Sequence, residues 1–189
     1  YIRFQMGALM AFIICFLGAA FFQIMGGIPF GPVLILWVNF LVQVTIAIAL
    51  GFDEPSSDLM RRKPRSPSQP VLSGWNWLRI IILGAYIAAA TLLVEAYYAT
   101  SGADQAQTMG YVVFSLLSIA LGLTARSETE SMFSRALLPG WRQIGLYALA
   151  LFFTFLGTFL LRSFLGTAPL SDQQWAICFL SILGLIGME

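Results

Sequence analysis

Residues 28–52 read IPFGPVLILWVNFLVQVTIAIALGF, an unbroken stretch without a single charged side chain. A helix rises about 1.5 Å per residue, so roughly 20 mostly apolar residues cross a hydrocarbon core of about 30 Å. This stretch is long enough to do so. Its apolar residues run continuously instead of alternating, which favours a spanning helix over a barrel strand. It also carries two amides and a hydroxyl, Asn39, Gln43 and Thr45, in the middle of the run.

The rest of the chain follows the same pattern. Of its 189 residues 59% are hydrophobic and 10% charged, far from the balance of a water-soluble domain. Six spans are predicted, at residues 4–25, 28–52, 75–99, 108–124, 144–161 and 174–188. The fold class is therefore all-α, a polytopic membrane bundle of six transmembrane helices. The sixth span is short and is expected to continue in a longer chain, just as the start at Tyr1 suggests a piece of a larger protein. The predicted division is a first helical hairpin over 1–52, a Pro/Arg-rich linker over 53–74 and four further helices over 75–189. The turn Gly26-Gly27-Ile28-Pro29 is expected to set the first two helices side by side.

Charge sets the expected orientation. With Tyr1 in the cytoplasm, Arg3, Arg61, Arg62, Lys63, Arg65, Arg79, Arg126, Arg135 and Arg142 all fall on the cytoplasmic side, leaving only Arg162 outside. The positive-inside rule then places both termini in the cytoplasm. Trp75, Trp77, Trp141, Trp175, Tyr97 and Tyr98 lie near span ends, as interfacial anchors do. A net charge of +1 without any histidine argues against nucleic-acid partners and removes His-dependent metal, triad and switch chemistry. Cys15 and Cys178 read as small core residues.

Polar residues inside the spans are the candidate functional groups, because each is costly to place there. Asn39 and Gln43 are four apart and share a helix face. Their carbonyl oxygens could point together at a cation, although residue pattern alone favours hydrogen-bonded packing between helices. Gln5 and Gln23 lie near the two ends of the first span. Ser115 and Ser118 share a face of the fourth and are expected to bond back to their own backbone. Glu95, the one acid well within a span, is expected to sit solvated at the outer boundary beside Tyr97 and Tyr98. No nucleotide-binding loop, paired buried carboxylates or other catalytic constellation is present in the sequence.

At Leu36-Trp37-Val38-Asn39, Ala49-Leu50-Gly51-Phe52, Asp58-Leu59-Met60, Arg62, Pro64-Arg65-Ser66-Pro67, Pro70 and Ser73-Gly74-Trp75, the sequence resembles P-type cation-transporting ATPases. The similarity is to the sixth helix and following loop of the calcium-pump branch and its bacterial relatives. It implies that the six spans correspond to helices five to ten, in a bacterial plasma membrane. It also implies that ATP and Mg act on upstream domains, and that the partners are the bilayer, a transported cation, the upstream helices and the cytoplasmic domains of the same pump. The linker's basic cluster would then contact a cytoplasmic domain. The family's ion ligands match Met6, Leu9, Asn39, Val42, Gln43 and Ser118, so only the Asn survives and every carboxylate is replaced. Neutral oxygens suit a monovalent ion or a site with fewer ions, and a helix outside this chain could still provide a carboxylate. The resemblance thus implies metal-site candidates at Asn39, Gln43 and Ser118, in the membrane part of a pump or in a pump-derived scaffold that has lost transport.

Overall fold

The computed structural model describes residues 1–52, 72–125 and 140–188. Most of the predicted linker, with its basic cluster, lies outside the described residues, as do Arg126 and Arg135. Every predicted span is helical. The helices are α1 Ile2–Phe22, α2 Pro32–Gly51, α3 Gly74–Tyr98, α4 Ala103–Thr124, α5 Trp141–Phe159, the short α6 Arg162–Leu165 and α7 Asp172–Gly187. A turn of 3₁₀ helix, Ile24–Gly27, follows α1, and another, Ala99–Ser101, extends α3.

Five of these helices, α1 to α5, are long and apolar enough to cross a membrane. The predicted sixth span is present as α7, but its 16 residues reach only about 24 Å, short of the hydrocarbon core. Ser171 fixes its start, accepting from the Gln174 amide N–H while Oε1 of Gln174 accepts from Ser171 N–H. α4 begins earlier than predicted because its first turn holds Asp104, Gln105 and Gln107, which apolar counting excludes but an exposed helix end tolerates.

α4 is the centre of the bundle. Every residue from 108 to 122 is buried, with α3, α7, α5, α2 and α1 packed around it. Such enclosure explains why the stretch has no charged residue, since a helix covered on all sides has no face for one. Side chains reaching backbone carbonyls tie the helices together. Trp37 Nε1 donates to Phe153 O at 3.1 Å, Tyr111 Oη to Thr154 O at 3.1 Å, Gln143 Nε2 to Ala49 O at 3.1 Å and Tyr86 Oη to Ser181 O at 2.7 Å.

α1 packs along α3 through small residues. The buried face of α1 carries Gly7, Ala8, Ala11, Cys15 and Ala19, and Gly84 of α3 lies so near that a Cβ there would be 3.2 Å from Gly7 O and 3.1 Å from Ala11 N. In a bilayer the hydrophobic effect does not drive helices together, so close backbone approach and dispersion do. The consequence is an uneven hairpin, in which α1 and α2 flank a cleft and each has its main contacts elsewhere. α1 belongs to α3, α2 to α5 and α4, and the faces of α1 and α2 are not packed along one another. The turn between them is left-handed at Gln23, Met25, Gly26 and Gly27, and it brings Phe30 back against Phe12 and Phe16 of α1, with ring centroids 6.4 and 6.3 Å apart.

The boundary aromatics divide. Trp75 and Trp141 are exposed, as anchors would be, and Trp175 stacks on Phe159 with centroids 5.7 Å apart. Cys15 and Cys178 are buried free thiols. Because backbone atoms meet at Gly84, Gly84→Ala is expected to lower stability by about 1–3 kcal/mol. Gly145→Ala, facing open space, is expected to be neutral, and thermal unfolding of the two variants in detergent checks the contrast.

Candidate cation path

The centre of α2 departs from α-helical geometry. Residues Val38–Gln43 form a π-helical segment in which Val44 N–H donates to the carbonyl of Asn39, five residues back. A π segment sacrifices hydrogen-bond geometry, and such bulges recur at functional sites. Nothing in the apolar pattern announces it. It holds both amides of the run, Asn39 at its second position and Gln43 at its last.

Asn39 is half-buried, and its Nδ2 donates to Ile35 O at 2.9 Å, which fixes the side chain and leaves Oδ1 as its acceptor. Gln43 is buried, and its Nε2 has no hydrogen-bond partner among the described residues. Both line a cleft of about 180 Å³ between α1 and α2, together with Tyr1, Gln5, Phe40, Val44 and Ala47. The cleft exists because α1 leans on α3. Gln5, noted in the sequence only as a polar residue near a helix end, is thereby a third amide on the same cleft. The hydroxyl of Thr45 is spent on Leu41 O within its own helix.

Ser118, on α4, is buried and is not among the residues that line this cleft. Trp37 and Tyr111 both reach the Phe153 carbonyl, and further along Ile46 occupies the space that a Cβ on Gly122 would need. α2 and α4 therefore run in the same direction, with Gln43 and Ser118 both between these two levels. The Oγ atoms of Ser118 and Ser115 have no partner among the described residues. That corrects the expectation that they bond to their own backbone, which the threonines do instead, at Thr91, Thr108, Thr154 and Thr158. Of the other positions matched to family ligands, Val42 is buried outside the cleft, Leu9 is exposed and Met6 is not among the cleft residues.

Glu95 is also placed differently from expectation. It is fully buried, not solvated, although it is one turn from the end of α3, because its face of the helix turns toward α4. Among the described residues no three Asp, Glu, Cys or His side chains come together. The cleft is consequently a neutral, amide-lined site.

A bundle of membrane-length helices around a buried central helix, with a polar cleft opening between two of them, defines an integral membrane protein. Residues 27–189 match the family model described as "Cation transporting ATPase, C-terminus". The chain belongs to that family, and it is a membrane part of a P-type cation pump. The match takes in α2 to α7, the π segment and the cleft's Asn39 and Gln43, while α1 precedes it.

An amide nitrogen buried without an acceptor costs about 1–3 kcal/mol. Replacing Gln43 by Met, similar in shape and free of that penalty, is expected to raise the thermal stability of the cation-free protein by about 1 kcal/mol. If Gln43 instead serves to hold helices together, melting of Gln43→Met in detergent will show a loss.

Proposed function

We propose that the cleft between α1 and α2 is part of the cation path of the pump, with Asn39 and Gln43 as oxygen ligands and Ser118 contributing from α4. The observation that carries this reading is the shared cleft, which Asn39 and Gln43 line together from one π-helical segment with their amide oxygens as its candidate ligands. A packing amide finds a partner in the neighbouring helix, and Gln43 Nε2 has none among the described residues. With no carboxylate on the cleft, the transported ion is monovalent, since a hard divalent ion requires several oxygens, usually including charged ones.

The resemblance to the calcium-pump branch supplies the rest of the proposal. The spans correspond to helices five to ten of such a pump, in a bacterial plasma membrane, with both termini and the 53–74 linker in the cytoplasm. The translocase uses ATP with Mg in upstream cytoplasmic domains, and the shift of helix positions there moves the ion through the cleft. The linker passes that change between the two parts. The family's carboxylates are missing at the matched positions, and this favours a second reading, a pump-derived scaffold without transport.

In the full-length protein, Asn39→Ala is expected to raise the cation concentration giving half-maximal ATP hydrolysis about tenfold, the effect of losing one neutral ligand worth about 1.4 kcal/mol. Gln43→Asp is expected to shift preference toward divalent ions by adding a charge. Cation-dependent ATPase assays check both. Unchanged ion dependence in both variants removes these residues from the path, and no cation-stimulated hydrolysis in the parent protein supports the scaffold.

A further inference from the structure

Glu95 is the one carboxyl enclosed by the bundle among the described residues, and the cleft makes no use of it. It is fully buried, and neither carboxyl oxygen has a hydrogen-bond partner among the described residues. The opposite wall is shaped to it. Gly110 of α4 faces the carboxyl so closely that a Cβ there would overlap Oε1 and lie 2.6 Å from Cγ. From α1, which packs along the same helix, Cys15 is a buried free thiol. The 3₁₀ turn Ile24–Gly27 carries no titratable side chain. Asp104 of α4 and Asp172 of α7 are exposed in the first turns of their helices. Arg3 and Arg79 line a hollow with Gly7 and Leu121 at the opposite ends of α1 and α3. Among the described residues, no positive charge pairs with it.

We propose that Glu95 is a proton-binding residue, set at the junction of α1, α3 and α4 apart from the amide cleft. A bare carboxylate there would lack both water and a donor, a placement too unfavourable for a membrane interior to sustain. Metal cations need several oxygens around them, and Glu95 belongs to no cluster of three Asp, Glu, Cys or His side chains among the described residues. A proton needs only the carboxyl itself. Its source is near, because Glu95 is three residues from the end of α3 at Tyr98, about 5 Å along the axis. Loss of the proton requires water or a donor to enter the junction, so release is tied to separation of α4 or α1 from α3. This reading does not depend on the cation path.

The test is infrared spectroscopy of the purified full-length protein at neutral pH, wild type minus Glu95→Gln, in H₂O and D₂O. The expected difference is one carboxylic-acid carbonyl band, sensitive to deuterium and absent from the variant. Glu95→Asp should retain such a band at a displaced position, and melting of each variant reports whether the fold is intact. If Glu95→Gln does not melt cooperatively, the displacement in Glu95→Asp decides: a displaced band supports the proposal and an unchanged spectrum overturns it. A difference spectrum containing only ionised-carboxylate bands also overturns it.

Discussion

The rest of the bundle depends on the close backbone approach of α1 and α3 at Gly84. Three atoms of α1 lie within about van der Waals reach of the space where a side chain would begin, among them the carbonyl of Gly7. Residues with small side chains make this contact possible, and in lipid it is the packing itself that holds the pair. With α1 packed along α3, it meets α2 only across a cleft. α2 then finds its partners in α5 and α4, through Trp37, Ile46 and the Ala49 carbonyl. The cleft between α1 and α2 is the space that this division leaves.

Within that frame the polar side chains fall into two groups. Thr45, Thr91, Thr108, Thr154 and Thr158 satisfy their hydroxyls on the carbonyl one turn back, which makes them compatible with an apolar surrounding at little cost. Gln143, Trp37 and Tyr111 reach across to other helices and hold them. Gln43, Ser115, Ser118 and Glu95 retain buried atoms that do neither. Buried polar atoms left unpaired weaken a fold, so their retention is best understood through what they bind or release. The proposed cation path accounts for Gln43 and Ser118, the proposed proton site accounts for Glu95, and nothing in the structure explains Ser115.

The spans were legible because apolar length is a local property. The run at 28–52 needs no neighbour to be recognised, and the family match over 27–189 agrees with the resemblance carried by its Trp37, Asn39 and Gly51. Partner choice was less legible. A Gly-Gly turn suggests adjacency of α1 and α2, but the small-residue face that also sets α1 against α3 is spread over 7–19 and matched to Gly84 far along the chain. Glu95 was misjudged for a related reason: distance from a helix end says how near water is along the axis, not which way the face turns. The π segment had no signal in the apolar count, since its two amides do not by themselves announce a change in helix geometry. Asn39 and Gln43 were identifiable as candidates by chemistry, whereas the addition of Gln5 to their cleft required the tertiary structure.

The central claim is that a monovalent cation passes between α1 and α2 and is held by the amides of the π segment. Its most direct test is a structure of the full-length pump prepared with Rb⁺ or Tl⁺, the ion located by anomalous scattering. The account predicts a peak in the cleft, within ligand distance of Asn39 Oδ1 and the Gln43 side-chain oxygen. A peak elsewhere in the membrane domain, with both amides hydrogen-bonded to a neighbouring helix, would contradict it.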